Sequence, residues 1–104
     1  MNNIIYRLEK ILEERKTSDS DKSYVSSLYR KGNEHICHKI IEESKELIDS
    51  SSENKDNMVH ETADLLFHVL VLLASHDIKY DTILNELEKR FGTSGIEEKN
   101  NRKR

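Results

Sequence analysis

Residues Glu61–Ala74 read ETADLLFHVLVLLA, and this stretch decides the fold. Glu61 and Asp64 are three residues apart, which places them on one face of a helix. From Leu65 to Ala74 the chain is apolar on every side and is interrupted only by His68. A helix that is apolar all round must be covered all round. It is therefore expected at the centre of a helical assembly, running from about Asn57 to His76. An acid that leads straight into such a core stripe is not expected to be wholly exposed, and buried acids need partners.

The partners lie upstream, in Glu42-Glu43-Ser44-Lys45-Glu46. A helix capped by Asn33 and running to about Asp49 has the apolar stripe Ile36, Ile40, Ser44 and Leu47, widened by Cys37, Ile41 and Ile48. Lys39, Glu43 and Glu46 run along the edge of that stripe, with Glu42 further toward solvent. The polar link SSSENKDN (50–57) has the length expected between antiparallel helices. Folded back on each other, the two helices bring both acidic pairs to one place. Four carboxylates held together repel unless a cation or protons neutralise them. Hard oxygen ligands suit Mg2+ or Mn2+. A competing reading makes Glu42, Glu43 and Glu46 solvated helix residues paired with Lys39 and Lys45. It accounts for the first pair and leaves the second unexplained. None of the five histidines follows a glutamate by three residues, which argues against a di-iron carboxylate bundle and for a redox-inert ion.

Further out, Ile4, Leu8, Ile11 and Leu12 recur at helical spacing within Asn3–Lys16. Tyr24–Tyr29 forms a short helix with Ser23 as N-cap, ended by Lys31-Gly32. Asp81–Arg90 forms another, with Ile83, Leu84 and Leu87 inward and Gly92 as its stop. With no proline and three glycines in 104 residues, little interrupts these helices. The expected fold is all-α, a four- to five-helix bundle in one domain spanning residues 1–104. Charged residues make up 36% of the chain, too many for a thick monomeric core, so dimerisation is expected to complete the bundle.

A net charge of −3 gives no bulk argument for nucleic acid or membrane. The apolar block is about half of the ~20 residues that a bilayer needs. The opening MNNIIYRLEK lacks the apolar stretch of a secretory signal, and Cys37 is the only cysteine. A soluble cytoplasmic protein is expected. His35, Cys37 and His38 fit no common zinc spacing and are read as partly buried helix residues. His68 is read as a satisfied core or interface histidine, one turn beyond Asp64 and within reach of a supporting hydrogen bond to it. The loop Gly92-Thr93-Ser94-Gly95 could cradle phosphate, with Arg90 and Lys99 on either side; a helix stop followed by a turn explains it equally well.

Four stretches, in order, carry a resemblance: ILEERK (11–16), SYVSSLYRKG (23–32), KIIEESKE (39–46) with ETADLLFHVLVLLA, and RFGTSGIEEK (90–99). The chain resembles phosphoribosyl-ATP pyrophosphohydrolase along nearly its full length. The acidic pairs alone indicate the wider all-α nucleotide pyrophosphohydrolase superfamily, and the closing RFGTSGIEEK selects the histidine-biosynthesis branch. The resemblance implies Mg2+-dependent hydrolysis of phosphoribosyl-ATP to phosphoribosyl-AMP and pyrophosphate by a homodimer, the second step of that pathway, with Mn2+ as an alternative ion. It implies Glu43, Glu46, Glu61 and Asp64 as metal ligands and Glu42 as a further catalytic acid. Lys31, Lys39, Arg90 and Lys99 match basic positions that meet phosphates, and Thr93 and Ser94 fall in the substrate loop. One departure is Ile41, where the family usually has glycine. The other readings are a housecleaning nucleoside triphosphate pyrophosphohydrolase and a non-catalytic helical dimerisation module.

Overall fold

The computed structural model describes residues 3–18 and 23–92. Among them the chain forms five α-helices and no strand: α1 (Ile4–Glu14), α2 (Tyr24–Lys31), α3 (Asn33–Ser50), α4 (Lys55–Ser75) and α5 (Tyr80–Phe91). The all-α expectation holds. Three pairs fix α3 and α4 as an antiparallel hairpin. Asn33 Oδ1 lies 2.8 Å from His76 Nε2, Glu43 meets His68, and Glu46 lies within electrostatic reach of Glu61. As the chain advances along α3, its partners recede along α4.

The helix boundaries have local causes. Ser23 Oγ accepts the Ser26 N–H at 3.2 Å and starts α2, as its sequence position implied. Asn54 caps α4: its Oδ1 accepts the Asn57 N–H at 2.8 Å, so the helix begins two residues before the sequence estimate. Asn33 does not cap α3. The cap position belongs to Gly32, at φ 97°, a conformation that favours glycine. A Cβ there would meet nothing within 4 Å, so backbone conformation and not crowding calls for glycine. Its N–H closes α2 on Leu28 O and its carbonyl opens α3 toward Ile36 N. One residue thus joins two helices and sets the angle at which α2 leans on α3.

The core consists of Leu12, Leu28, Ile36, Leu70, Val71 and Ala74, with Ile5, Leu8, Val25, Tyr29, Ile40 and Phe67 among the partly buried residues packed on it. Polar contacts hold α1 across it. Tyr29 donates to Leu12 O (2.9 Å), Ser26 to Arg15 O (3.0 Å), and Tyr6 to Asp81 (2.8 Å). The backbone N–H of Tyr80 donates to Glu9 (2.5 Å).

Two expectations about the apolar face need correction. Ile41 and Ile48 do not widen the buried stripe of α3; they are 66% and 69% exposed. Nor is α4 covered all round within this chain. Its buried residues are His68, Leu70, Val71 and Ala74, while Val59 is 70% exposed and Met58 and Leu66 are partly open. Met58, Val59, Thr62, Ala63 and Leu66 line an open apolar hollow of about 440 Å3. Periodicity gives the angle of each side chain around its helix, but not which sectors other elements cover. At 21 residues, α4 is also long and apolar enough on average to cross a bilayer, more than its apolar block alone suggested. Its first turns carry Lys55, Asp56, His60, Glu61 and Asp64, and its later turns form the core.

Candidate active site

The acidic pairs meet where the α3–α4 hairpin nears its turn. Glu43 faces inward from α3, 8% exposed, with Oε1 at 2.5 Å from Nδ1 of His68. That approach lies off the ring N–H direction, and the oxygen has no hydrogen-bond partner among the described residues. Burial pushes the Glu43 carboxyl above its ordinary value. The His68 ring and Lys39 oppose the shift, and the Asp64 carboxylate adds to it. Glu61 is also raised, first by loss of solvent and then by the Glu46 carboxylate, with His60 opposing and Asp64 reinforcing. Glu46 and Asp64 therefore both act on Glu61, and Asp64 acts on Glu43 as well. The four acids that the sequence proposed as ligands share one electrostatic neighbourhood.

A nitrogen donor joins them. Single donor atoms of His60, Glu61 and Asp64 all lie within 4.8 Å of one another, and His60 Nε2 is 3.4 Å from Asp64 Oδ2. Sequence reasoning missed His60, although its i, i+4 spacing to Asp64 was visible. It also missed Tyr24, whose hydroxyl lies 3.0 Å from His68 Nε2. No sequence signal connects residues 44 apart. The bond foreseen between His68 and Asp64 exists in another form: Nδ1 approaches the Asp64 backbone carbonyl at 3.1 Å and the Glu43 carboxylate, not the Asp64 side chain.

The remaining candidates are dispersed. Glu42 is exposed, with Oε1 3.8 Å from His38 Nε2 and turned away from the buried Glu43. Lys39 is half-buried and close enough to Glu43 to lower its carboxyl. Lys31 is exposed in the last turn of α2. Arg90 donates to Glu86 (2.6 Å) on α5, a helix packed on α1, and among the described residues it pairs with none of the four acids. Gly92 follows α5 in an extended conformation, φ −76°, rather than the left-handed one of a usual glycine stop. Thr93, Ser94 and Lys99 lie outside the described residues.

A buried carboxylate with an orphaned oxygen, crowded by like charges, fits a cation. The carboxylate oxygens suit Mg2+ or Mn2+.

The architecture defines a class before it defines a member: an all-α scaffold whose longest hairpin pools more acids than its own cations balance. Residues 5–91 match the family described as phosphoribosyl-ATP pyrophosphohydrolase. Similar proteins include the phosphoribosyl-ATP pyrophosphatase of Vesicomyosocius okutanii subsp. Calyptogena okutanii, 52% identical over 98% of each chain. That of Ruthia magnifica subsp. Calyptogena magnifica is 50% identical over 95% of each. That of Hydrogenovibrio crunogenus is 47% identical over 97% of this chain and 94% of its own. The chain belongs to the phosphoribosyl-ATP pyrophosphohydrolase family and is an enzyme of the hydrolase class.

Proposed function

We infer that this chain hydrolyses phosphoribosyl-ATP to phosphoribosyl-AMP and pyrophosphate in histidine biosynthesis. The observation that carries the reading is the family match over residues 5–91, which contains both acidic pairs. Glu43, Glu46, Glu61 and Asp64 would hold Mg2+, with His60 as an added donor and Mn2+ as an alternative ion. A bound ion of this kind supplies neutralisation of the triphosphate and Lewis-acid activation of water. Buried Glu43 fixes the inner wall of the site from α3, and Asp64 and Glu61 fix the other wall from α4. Rigid helices hold these oxygens before substrate arrives, so little reorganisation is needed when charge develops. Lys39, beside Glu43, would place positive charge next to the substrate phosphates, with Lys31, Arg90, Thr93, Ser94 and Lys99 as further substrate contacts. Exposed Glu42 would take up a proton from the solvent side.

The enzyme would act in the cytoplasm as a homodimer. Ile41, Ile48, Val59 and the hollow bounded by Met58 and Leu66 support that part of the reading. They are exposed apolar side chains on the same two helices that carry the acids.

The test is pyrophosphate release from phosphoribosyl-ATP with and without EDTA, beside a panel of nucleoside triphosphates. Metal-dependent turnover specific to phosphoribosyl-ATP supports the reading. Preference for a common nucleoside triphosphate, or turnover unaffected by EDTA, contradicts it.

A further inference from the structure

Glu43 does not stand alone; it ends a chain of side chains that begins at half-exposed Tyr24 on α2 and runs inward through buried His68. The His68 ring is 4% exposed and has a partner at each nitrogen. Nδ1 faces two groups, the Asp64 carbonyl at 3.1 Å and Glu43 Oε1 at 2.5 Å. A backbone carbonyl can only accept, and so can an ionised carboxylate. Nδ1 must therefore carry the proton. In the neutral ring that leaves Nε2 to accept from the Tyr24 hydroxyl at 3.0 Å. The ring is fixed in plane as well. Phe67 stands edge-on to it at 4.9 Å and Tyr24 edge-on at 5.9 Å, and Tyr24 stacks on Phe67 at 6.2 Å.

We propose that Tyr24 and His68 are positioning residues: Tyr24 fixes the tautomer of His68, the Nδ1–H of His68 is directed to the Asp64 carbonyl, and the ring so anchored is packed against one oxygen of Glu43, so that the other is presented to the cation. The proposal rests on the metal-site reading above. The His68 N–H serves the Asp64 carbonyl, so the ring restrains Glu43 by close contact and attraction without saturating it. Because the same ring touches Glu43 on α3 and the Asp64 backbone on α4, it sets the spacing of the two walls of the site. Tyr24 extends that control to the start of α2, a helix that contributes no acid. Supports of this kind, one step removed from the ion, change metal affinity by about 10–100-fold when they are lost.

The first measurement needs no metal. Long-range 15N–1H spectra of the metal-free protein should show His68 as the Nδ1–H tautomer, and Tyr24→Phe should shift the His68 resonances. An Nε2–H tautomer in the wild type overturns the proposal. The second measurement is Mn2+ affinity by calorimetry. His68→Phe should weaken it by about 10-fold or more, and His68→Asn, whose amide N–H can take the place of Nδ1–H, should recover much of that loss. Tyr24→Phe removes only one hydroxyl from a half-open side chain and should weaken Mn2+ binding by roughly 3–10-fold, the scale of one hydrogen bond. It keeps the test decisive should His68→Phe fail to fold. Wild-type affinity in folded Tyr24→Phe, or equal losses in the Phe and Asn variants of His68, overturns the proposal while leaving the metal site in place. A wild-type protein that binds no Mn2+ overturns both.

Discussion

Two clusters of acids flank α4, and they differ in burial and in charge balance. Near the α4–α5 turn, Glu9, Glu13 and Asp77 gather around a small hollow, and this cluster has its own cations. Lys16 Nζ lies 2.8 Å from Asp77 and 3.1 Å from Glu13, and Lys79 approaches Glu13 at 4.0 Å. Near the α3–α4 turn, Glu43, Glu46, Glu61 and Asp64 gather with Lys39 and two histidines as partial compensation. The carboxyl groups respond in opposite directions. Lys16 holds Asp77 below its ordinary value, while burial and neighbouring carboxylates hold Glu43 and Glu61 above theirs. Residue type is the same at both ends. Balance separates a structural clamp from a site that is complete only with a cation from outside.

Breaking the unbalanced cluster should have the largest effect. Asp64→Asn or Glu46→Gln removes a ligand oxygen from an ion that contributes several kcal/mol of charge stabilisation. Turnover should fall on the order of 10²-fold or more with the helical circular dichroism unchanged. Near wild-type turnover at saturating Mg2+ would make these acids ordinary surface residues.

Supplying the missing charge sharpens the comparison. Glu46 is exposed, so Glu46→Lys can add a cation without a packing penalty. The variant should melt higher than the wild type in EDTA and lose the stabilisation that Mg2+ gives the wild type, because the lysine takes the place of the ion. Glu43→Gln should behave similarly, since it removes a buried charge without a well-directed hydrogen bond. Melting curves with and without Mg2+ check both. A Glu43→Gln protein that melts lower than the wild type in EDTA would mean that the His68 contact already balances this charge.

The exposed apolar side chains beside the unbalanced cluster give an intermediate effect. Val59→Asp places a charge on a side chain that is 70% exposed in the protomer. It should convert a dimer to a monomer in sedimentation analysis while leaving the helix content intact. An unchanged oligomeric state would remove this face from the interface.

The smallest effect belongs to the balanced cluster. Asp77 sits at φ 59°, a conformation that asparagine tolerates, so Asp77→Asn removes charge with little backbone cost. Its folded-state carboxyl lies below the ordinary 3.8. Its contribution to stability is thus present above that unfolded value and is lost as pH falls through the lower folded one. Asp77→Asn should lower the melting temperature slightly at neutral pH, should flatten that acid-side loss, and should leave kcat and KM unchanged. A large loss of activity would mean that this clamp controls the distant acids.

The helices and the meeting of the two acidic pairs were legible because both follow from spacing: i, i+3 acids share a face, and a short polar link returns the chain. Coverage was not legible. Ile41 and Ile48 fall on the apolar side of a helical wheel, but no described residue of this chain shields them. The Ile41 departure from glycine therefore costs no packing within the protomer. His60 could have been found from its i, i+4 relation to Asp64. The Tyr24–His68–Glu43 chain could not, because it depends on how α2 leans on the hairpin, and the single residue Gly32 sets that angle. Thr93, Ser94 and Lys99 rest on motif alone.

The most direct test of the account is a calorimetric titration of the EDTA-treated protein with Mn2+, wild type beside Asp64→Asn. The account requires saturable binding in the wild type and its loss in the variant. No binding in the wild type, or equal binding in both, would contradict it.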